Sequence, residues 1–135
     1  SPVASTKTLP SRVSRWVWPT EGKIVGKFST AEAGNSGLLI ANSIGTPVVS
    51  AAEGKVVYVG NALRGYGNLV IIKHTDTYLS AYAHNNKILV KERQFVKAGE
   101  MIAEMGNSGT TEAKLRFEIR FKGKSLDPQQ FLPRK

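Results

Sequence analysis

An all-β, antiparallel domain is the fold class this sequence predicts, and three observations carry it. Apolar residues come in short bursts, each near the ordinary strand length of about five or six residues. Gly-containing corners separate most of the bursts. The last burst alternates strictly, with Leu115, Phe117, Ile119 and Phe121 on one side and Lys114, Arg116, Glu118 and Arg120 on the other. Helix is scarce.

The elements follow in order. Residues 1–15, SPVASTKTLPSRVSR, are Ser, Thr and Pro with scattered cations. That composition buries too little apolar area to offset ordering entropy and reads as a disordered linker, which leaves the domain over 16–135. Strands are expected at 22–28, at 37–41 after the corner Ala33-Gly34-Asn35-Ser36-Gly37, at 47–50, and at 54–59 after Ala52-Glu53-Gly54. Further strands are expected at 68–74 after Arg64-Gly65-Tyr66-Gly67, at 78–84, at 101–105 after Lys97-Ala98-Gly99, and at 114–121 after Asn107-Ser108-Gly109. Each corner supplies a residue that takes positive φ without a Cβ penalty. The last strand fixes its own register, because a slip of one residue would drive three cations and a carboxylate into the core.

Composition bounds the function. A chain of 135 residues is one domain, able to bury about two-thirds of its unfolded surface. With no Cys, disulfides and thiolate metal sites are excluded. Lys and Arg number 19 against 10 Asp and Glu, a net charge of +9, but eight of those cations lie in residues 1–15 and 120–135. The excess is concentrated at the two ends, so no nucleic-acid partner is inferred. There is neither an apolar run of membrane-span length nor a signal-peptide core. The start at Ser1-Pro2 suggests an excised or processed piece.

The same period-two rule puts Asn35, Gly37 and Leu39 on one face, and Tyr78, Ser80, Tyr82 and His84 on another. If these strands neighbour the last one, their faces build a shallow groove lined by Asn35, Leu39, Tyr82, His84, Lys114 and Arg116. For Arg116 the plainer reading is a solvated ion pair with Glu112 or Glu118, and for Tyr82 it is simple packing.

Six motifs in order, Gly34-Asn35-Ser36-Gly37-Leu38-Leu39-Ile40, Gly45-Thr46-Pro47-Val48, Gly65-Tyr66-Gly67-Asn68, Tyr82-Ala83-His84, Val96-Lys97-Ala98-Gly99 and Leu115-Arg116-Phe117-Glu118-Ile119-Arg120, resemble the LytM domain of lysostaphin-type zinc endopeptidases. The resemblance implies an antiparallel β-sandwich or open barrel of the LytM type, with its duplicated hybrid motif. It also implies what is missing. Active members bind zinc through a first His, an Asp four residues on, and the second His of a His-x-His; those positions hold Asn35, Leu39 and Arg116 here. The two assisting positions hold Lys114 and His84. A catalytic zinc needs about three protein donors, and Leu39 has none while Lys114 and Arg116 are cations. The expectation is therefore no catalytic residue, no metal and no cofactor.

Degenerate LytM domains of this kind resemble activators of N-acetylmuramoyl-L-alanine amidases in cell division, whose vacated cleft binds a regulatory helix of the amidase. The resemblance implies a periplasmic protein, anchored at the outer membrane only through upstream segments this chain lacks. The expected partner groove comprises Asn35, Leu39, Arg64, Tyr66, Tyr82, His84, Lys114, Arg116 and Arg120, its cations suited to carboxylates. A peptidoglycan-binding module that retains the old substrate groove is the alternative.

Overall fold

A computed structural model describes residues 9–30 and 36–134 of the chain. It contains ten strands: β1 (Lys23–Gly26), β2 (Leu38–Ala41), β3 (Pro47–Val49), β4 (Gly54–Gly60), β5 (Asn68–Lys73), β6 (Tyr78–Ile88), β7 (Phe95–Val96), β8 (Met101–Met105), β9 (Lys114–Phe121) and β10 (Lys124–Leu126). A 3-10 turn at Pro128–Gln130 follows, and no α-helix occurs among the described residues. Every pairing is antiparallel, in the order β1-β2-β9-β6-β5-β4-β7, with β10 folded back on β9. The all-β, antiparallel architecture expected from the sequence is the one found.

The longest strand makes the two-layered core. The first part of β6 pairs β5 and β9, while Asn85 to Ile88 pair β8, which in turn holds β3. The inner faces of β2, β9, β6 and β5 thus close on the β3–β8 pair. Leu38, Ile40, Val48, Val70, Ile72, Tyr82, Ile102, Met105, Leu115, Phe117 and Ile119 are all buried there. The alternation of the last strand holds, since Leu115, Phe117 and Ile119 each lose essentially all exposure, worth about 1.5–3 kcal/mol apiece. At one end, the Trp16 ring meets His74 at 5.1 Å and Phe131 at 5.9 Å. The Trp18 indole N–H donates to the Pro133 carbonyl at 2.8 Å, which ties the two ends of the domain together.

Some boundaries differ from expectation. Strand β1 is shorter than 22–28, β6 continues to Ile88, and β7 and β10 were not anticipated. Strands of two and three residues are too short to display a period. Residues 9–15 carry no regular element, with Leu9, Pro10 and Val13 half-buried.

Candidate functional site

The outer face of the same sheet builds the site. Because directly opposed residues of antiparallel strands point the same way, register alone sets out its rows. Leu39 of β2 opposes Arg116 of β9, and Arg116 opposes Ala83 of β6. One step along, Glu118 opposes Ala81, Ala81 opposes Ile71, and Ile71 opposes Tyr58. Leu69, Ala81 and Ala83 form the floor, with Tyr58, Tyr66 and Ile71 packed on it. Over this floor opens a cleft of about 360 Å³, lined among others by Leu63, Tyr66, Ile71, Leu79 and Arg120.

Its centre is a buried carboxylate. Glu118 has no exposed surface, and its oxygens accept from Ser36 Oγ at 2.9 Å, from Tyr66 Oη at 3.1 Å, and from Arg120 Nε and Nη2 at 2.9 and 2.7 Å. Arg116 Nε lies 3.2 Å from the same carboxylate, Arg116 Nη2 donates to Ser36 Oγ, and its guanidinium stacks 4.8 Å from the Tyr66 ring centre. The ion pair weighed for Arg116 therefore exists, but with a buried Glu118 rather than a solvated one. Two arginines share one carboxylate and Lys114 adds a third cation. The patch remains net positive, with Arg116 and Arg120 each partly open to solvent.

His84 reaches this face through a bulge. Asn68 opposes Asn85 and Val70 opposes Tyr82, so Ala83 and His84 together face the single residue Leu69. His84 adopts φ 69°, and its Nδ1–H donates to the Ser108 carbonyl at 2.7 Å. Burial lowers its pKa below the usual imidazole range, and the positive charges of Arg116 and Lys114 add to that. The ring is neutral near pH 7. Ser108 is a hub: its hydroxyl accepts from the Asn68 N–H at 3.0 Å and donates to the Asn85 carbonyl at 2.7 Å, while the His84 N–H donates to the Tyr66 carbonyl at 2.8 Å. Gly67, at φ 61°, passes so close that a Cβ there would lie 2.2 Å from the Ser108 carbonyl oxygen. Only glycine fits that approach.

The bulge also corrects the reading of Tyr82. The sequence placed Tyr82 beside His84 in the groove; in the structure Tyr82 faces the core with no exposed surface. Its hydroxyl accepts from the Ala51 N–H at 2.8 Å and lies 2.7 Å from Ser80 Oγ, and its ring packs on Phe117 at 5.4 Å. Strict alternation puts Tyr82 and His84 on one face, and the extra residue in β6 breaks that alternation between them. Leu39, Tyr66, His84, Lys114, Arg116 and Arg120 share the outer face, and Arg64 is exposed in the β4–β5 loop that carries Tyr66. Asn35 lies outside the described residues. Sequence reasoning missed Glu118, Ser36 and Ser108 as parts of the site. The alternation of β9 did put Glu118 on the right face, which was the available signal.

The sequence profile of Peptidase family M23 matches residues 33–128. The chain belongs to that family. Among M23 relatives, it is 55% identical over 134 residues to the murein hydrolase activator NlpD of Salmonella dublin, covering 99% of this chain and 36% of that protein. It is 58% identical over 123 residues to NlpD of Escherichia coli K12, covering 91% and 32%. With the outer membrane antigenic lipoprotein B of Haemophilus influenzae it shares 61% over 119 residues, covering 88% and 29%. The chain spans about a third of the length of these curated relatives. A zinc-containing peptidase from Vibrio cholerae superposes with TM-score 0.77 at 31% identity, covering 85% of this chain and 39% of that one. Lysostaphin from Staphylococcus simulans superposes with TM-score 0.75 at 28% identity, covering 82% and 48%.

A zinc ion of the kind named in that Vibrio structure does not suit the described donors of this M23 domain. Among the described residues no three of His, Cys, Asp or Glu cluster. His74 is in the core, with Nδ1 bonded to the Glu53 carbonyl at 2.8 Å and Nε2 to Ser80 Oγ at 2.6 Å. His84 already commits Nδ1 to Ser108, and the side chains charged against it are cations. Glu118 is held by two arginines. No helix among the described residues is long and apolar enough to cross a membrane.

Proposed function

We propose that this domain is a non-catalytic activator of periplasmic N-acetylmuramoyl-L-alanine amidases during septal peptidoglycan splitting, and that its groove binds the amidase regulatory helix. The observation that carries the reading is the chemistry of the groove: a leucine and two cations, Leu39, Arg116 and Lys114, stand where the family resemblance puts zinc ligands and their assistants. Without a bound metal, the M23 route to an activated water is closed. The same groove is suited to holding. Arg116 is stacked and oriented, Tyr66 and Leu39 offer apolar contact, and Arg120, Lys114 and Arg64 attract carboxylates. Asn35 and His84 complete the proposed contact set. The names of the relatives, murein hydrolase activators, support the reading, as does the lipoprotein name for a periplasmic location at the outer membrane.

The test is dye release from purified sacculi by amidase alone, domain alone, and both together. The domain alone releases nothing and the pair releases more than the amidase. Arg116→Glu leaves a folded protein that no longer stimulates; unchanged stimulation by that variant overturns the groove reading. Sacculus binding without any stimulation would favour the peptidoglycan-binding alternative.

A further inference from the structure

The open face of the sheet continues past the groove. Register sets Arg120 opposite Leu79, Leu79 opposite Lys73, Lys73 opposite Lys55, and Lys55 opposite Phe95. Lys73 alternates with Leu69 and Ile71 along β5, so this row lies on the same outer face as the cleft. Three cations stand in one line across β9, β5 and β4. Lys55 and Lys73 oppose each other directly, an arrangement of like charges that works against the sheet.

Arg120 is already paired with Glu118 at 2.7 Å, but local acids do little to neutralise the two lysines. Lys73 meets Asp76 only at 4.0 Å, with the Asp76 side chain fully in solvent. Lys55 sits 5.5 Å from the Phe95 ring centre and has no ion pair among the described residues. Glu92 lines a second cleft of about 440 Å³ together with Leu9, Lys55, Lys73 and Arg93, and one of its oxygens is engaged by the Val59 N–H at 3.1 Å. Arg120 binds Glu118 and Tyr66 through Nε and Nη2, which leaves Nη1 for a ligand. Next to these cations, one step along the strands, runs the apolar row Tyr58, Ile71 and Ala81.

We propose that the row Arg120–Lys73–Lys55 extends the partner-binding face and reads acidic side chains spaced i, i+7 and i+11 along one stripe of an amphipathic helix that crosses the strands. This rests on the activator reading above. Neighbouring strands are about 4.8 Å apart, so Lys73 to Lys55 spans about 5 Å and Arg120 to Lys73 about 10 Å. A helix rises 1.5 Å per residue, so four residues cover about 6 Å and seven about 10.5 Å, with all three positions on one stripe. The parallel apolar and cationic rows match the two stripes of an acidic amphipathic helix, and this favours a protein segment over a glycan strand as occupant.

The experiment compares the whole chain, its Lys55→Glu/Lys73→Glu variant and Arg116→Glu in sacculus dye release with amidase, at low and high salt, with thermal unfolding as the control for folding. A synthetic helical peptide with Glu at i, i+7 and i+11 and apolar residues on the adjacent stripe serves as a direct probe. A peptide of the same composition with Glu at i, i+5 and i+9 is its control. The lysine variant is expected to need about tenfold more protein for half-maximal stimulation at low salt, a gap that shrinks at high salt. The unaltered chain is expected to prefer the in-register peptide, and the variant to lose that preference. Unchanged half-maximal stimulation by the lysine variant, beside an inactive Arg116→Glu, overturns the row and leaves the activator reading standing. Normal stimulation by both variants overturns both. Loss of sacculus binding by the lysine variant with stimulation intact assigns the row to the glycan, and also overturns the proposal.

Discussion

Acidification should destabilise this domain through one buried imidazole. His74 is almost fully enclosed, with Nδ1–H donating to the Glu53 carbonyl and Nε2 accepting from Ser80. Ser80 in turn lies in reach of Tyr82, whose hydroxyl receives the Ala51 N–H. The neutral imidazole gives each group in this chain of hydrogen bonds a partner, whereas a charged ring would have to be held in a site almost closed to water. Burial accordingly lowers the His74 pKa from 6.5 to about 4. The sign follows from proton counting. Between those two values the unfolded chain binds a proton that the native one does not, so stability is complete above pH 6.5 and falls as the pH drops towards 4. At about 1.4 kcal/mol per pH unit over about 2.5 pH units, the loss is about 3 kcal/mol, a large share of the about 5–15 kcal/mol by which a domain is ordinarily stable. Urea unfolding at pH 7.5, 6.5, 5.5 and 4.5 measures it. In His74→Gln the slope across this window should flatten, whatever the variant costs at neutral pH. An equally steep slope in the variant would refute the assignment and move the effect to other titrating groups.

Two further outcomes test the placement of side chains. Tyr82→Phe strands the Ala51 N–H and removes a partner of Ser80, so unfolding free energy should drop by about 1–3 kcal/mol while stimulation per folded molecule stays unchanged; a specific loss of stimulation would return Tyr82 to the groove. Glu118→Gln keeps the shape but leaves Arg116 and Arg120 facing an amide. Because both arginines are partly solvated, the cost should sit near or below the low end of the range for breaking a buried pair, about 2–3 kcal/mol. Calorimetry should show a fall in melting temperature of about 10 °C, and an unchanged melt would mean the carboxylate contributes no net charge stabilisation.

Much of this could be read from the residues. The strict alternation in 114–121 gave the register of β9, and with it the shared face of Lys114, Arg116, Glu118 and Arg120. Leu39 followed from the same rule on β2. The rule failed in β6 for a local reason: one extra residue at Ala83–His84, with His84 at φ 69°, turns that ring away from the face Tyr82 keeps. Nothing in Tyr82-Ala83-His84 distinguishes a bulge from plain extended chain. Nor could composition reveal that Glu118 is sealed off, because the groups that cover it, Tyr66 and Ser36, come from loops 52 and 82 residues away.

The Ser108 knot has a consequence for how any complex forms. Tyr66 and the bulged histidine are fastened through it to the turn before β9, so shifting this wall would break several hydrogen bonds at once. This wall is therefore an anvil, already shaped, and a ligand seated against it would leave it little ordering entropy to lose.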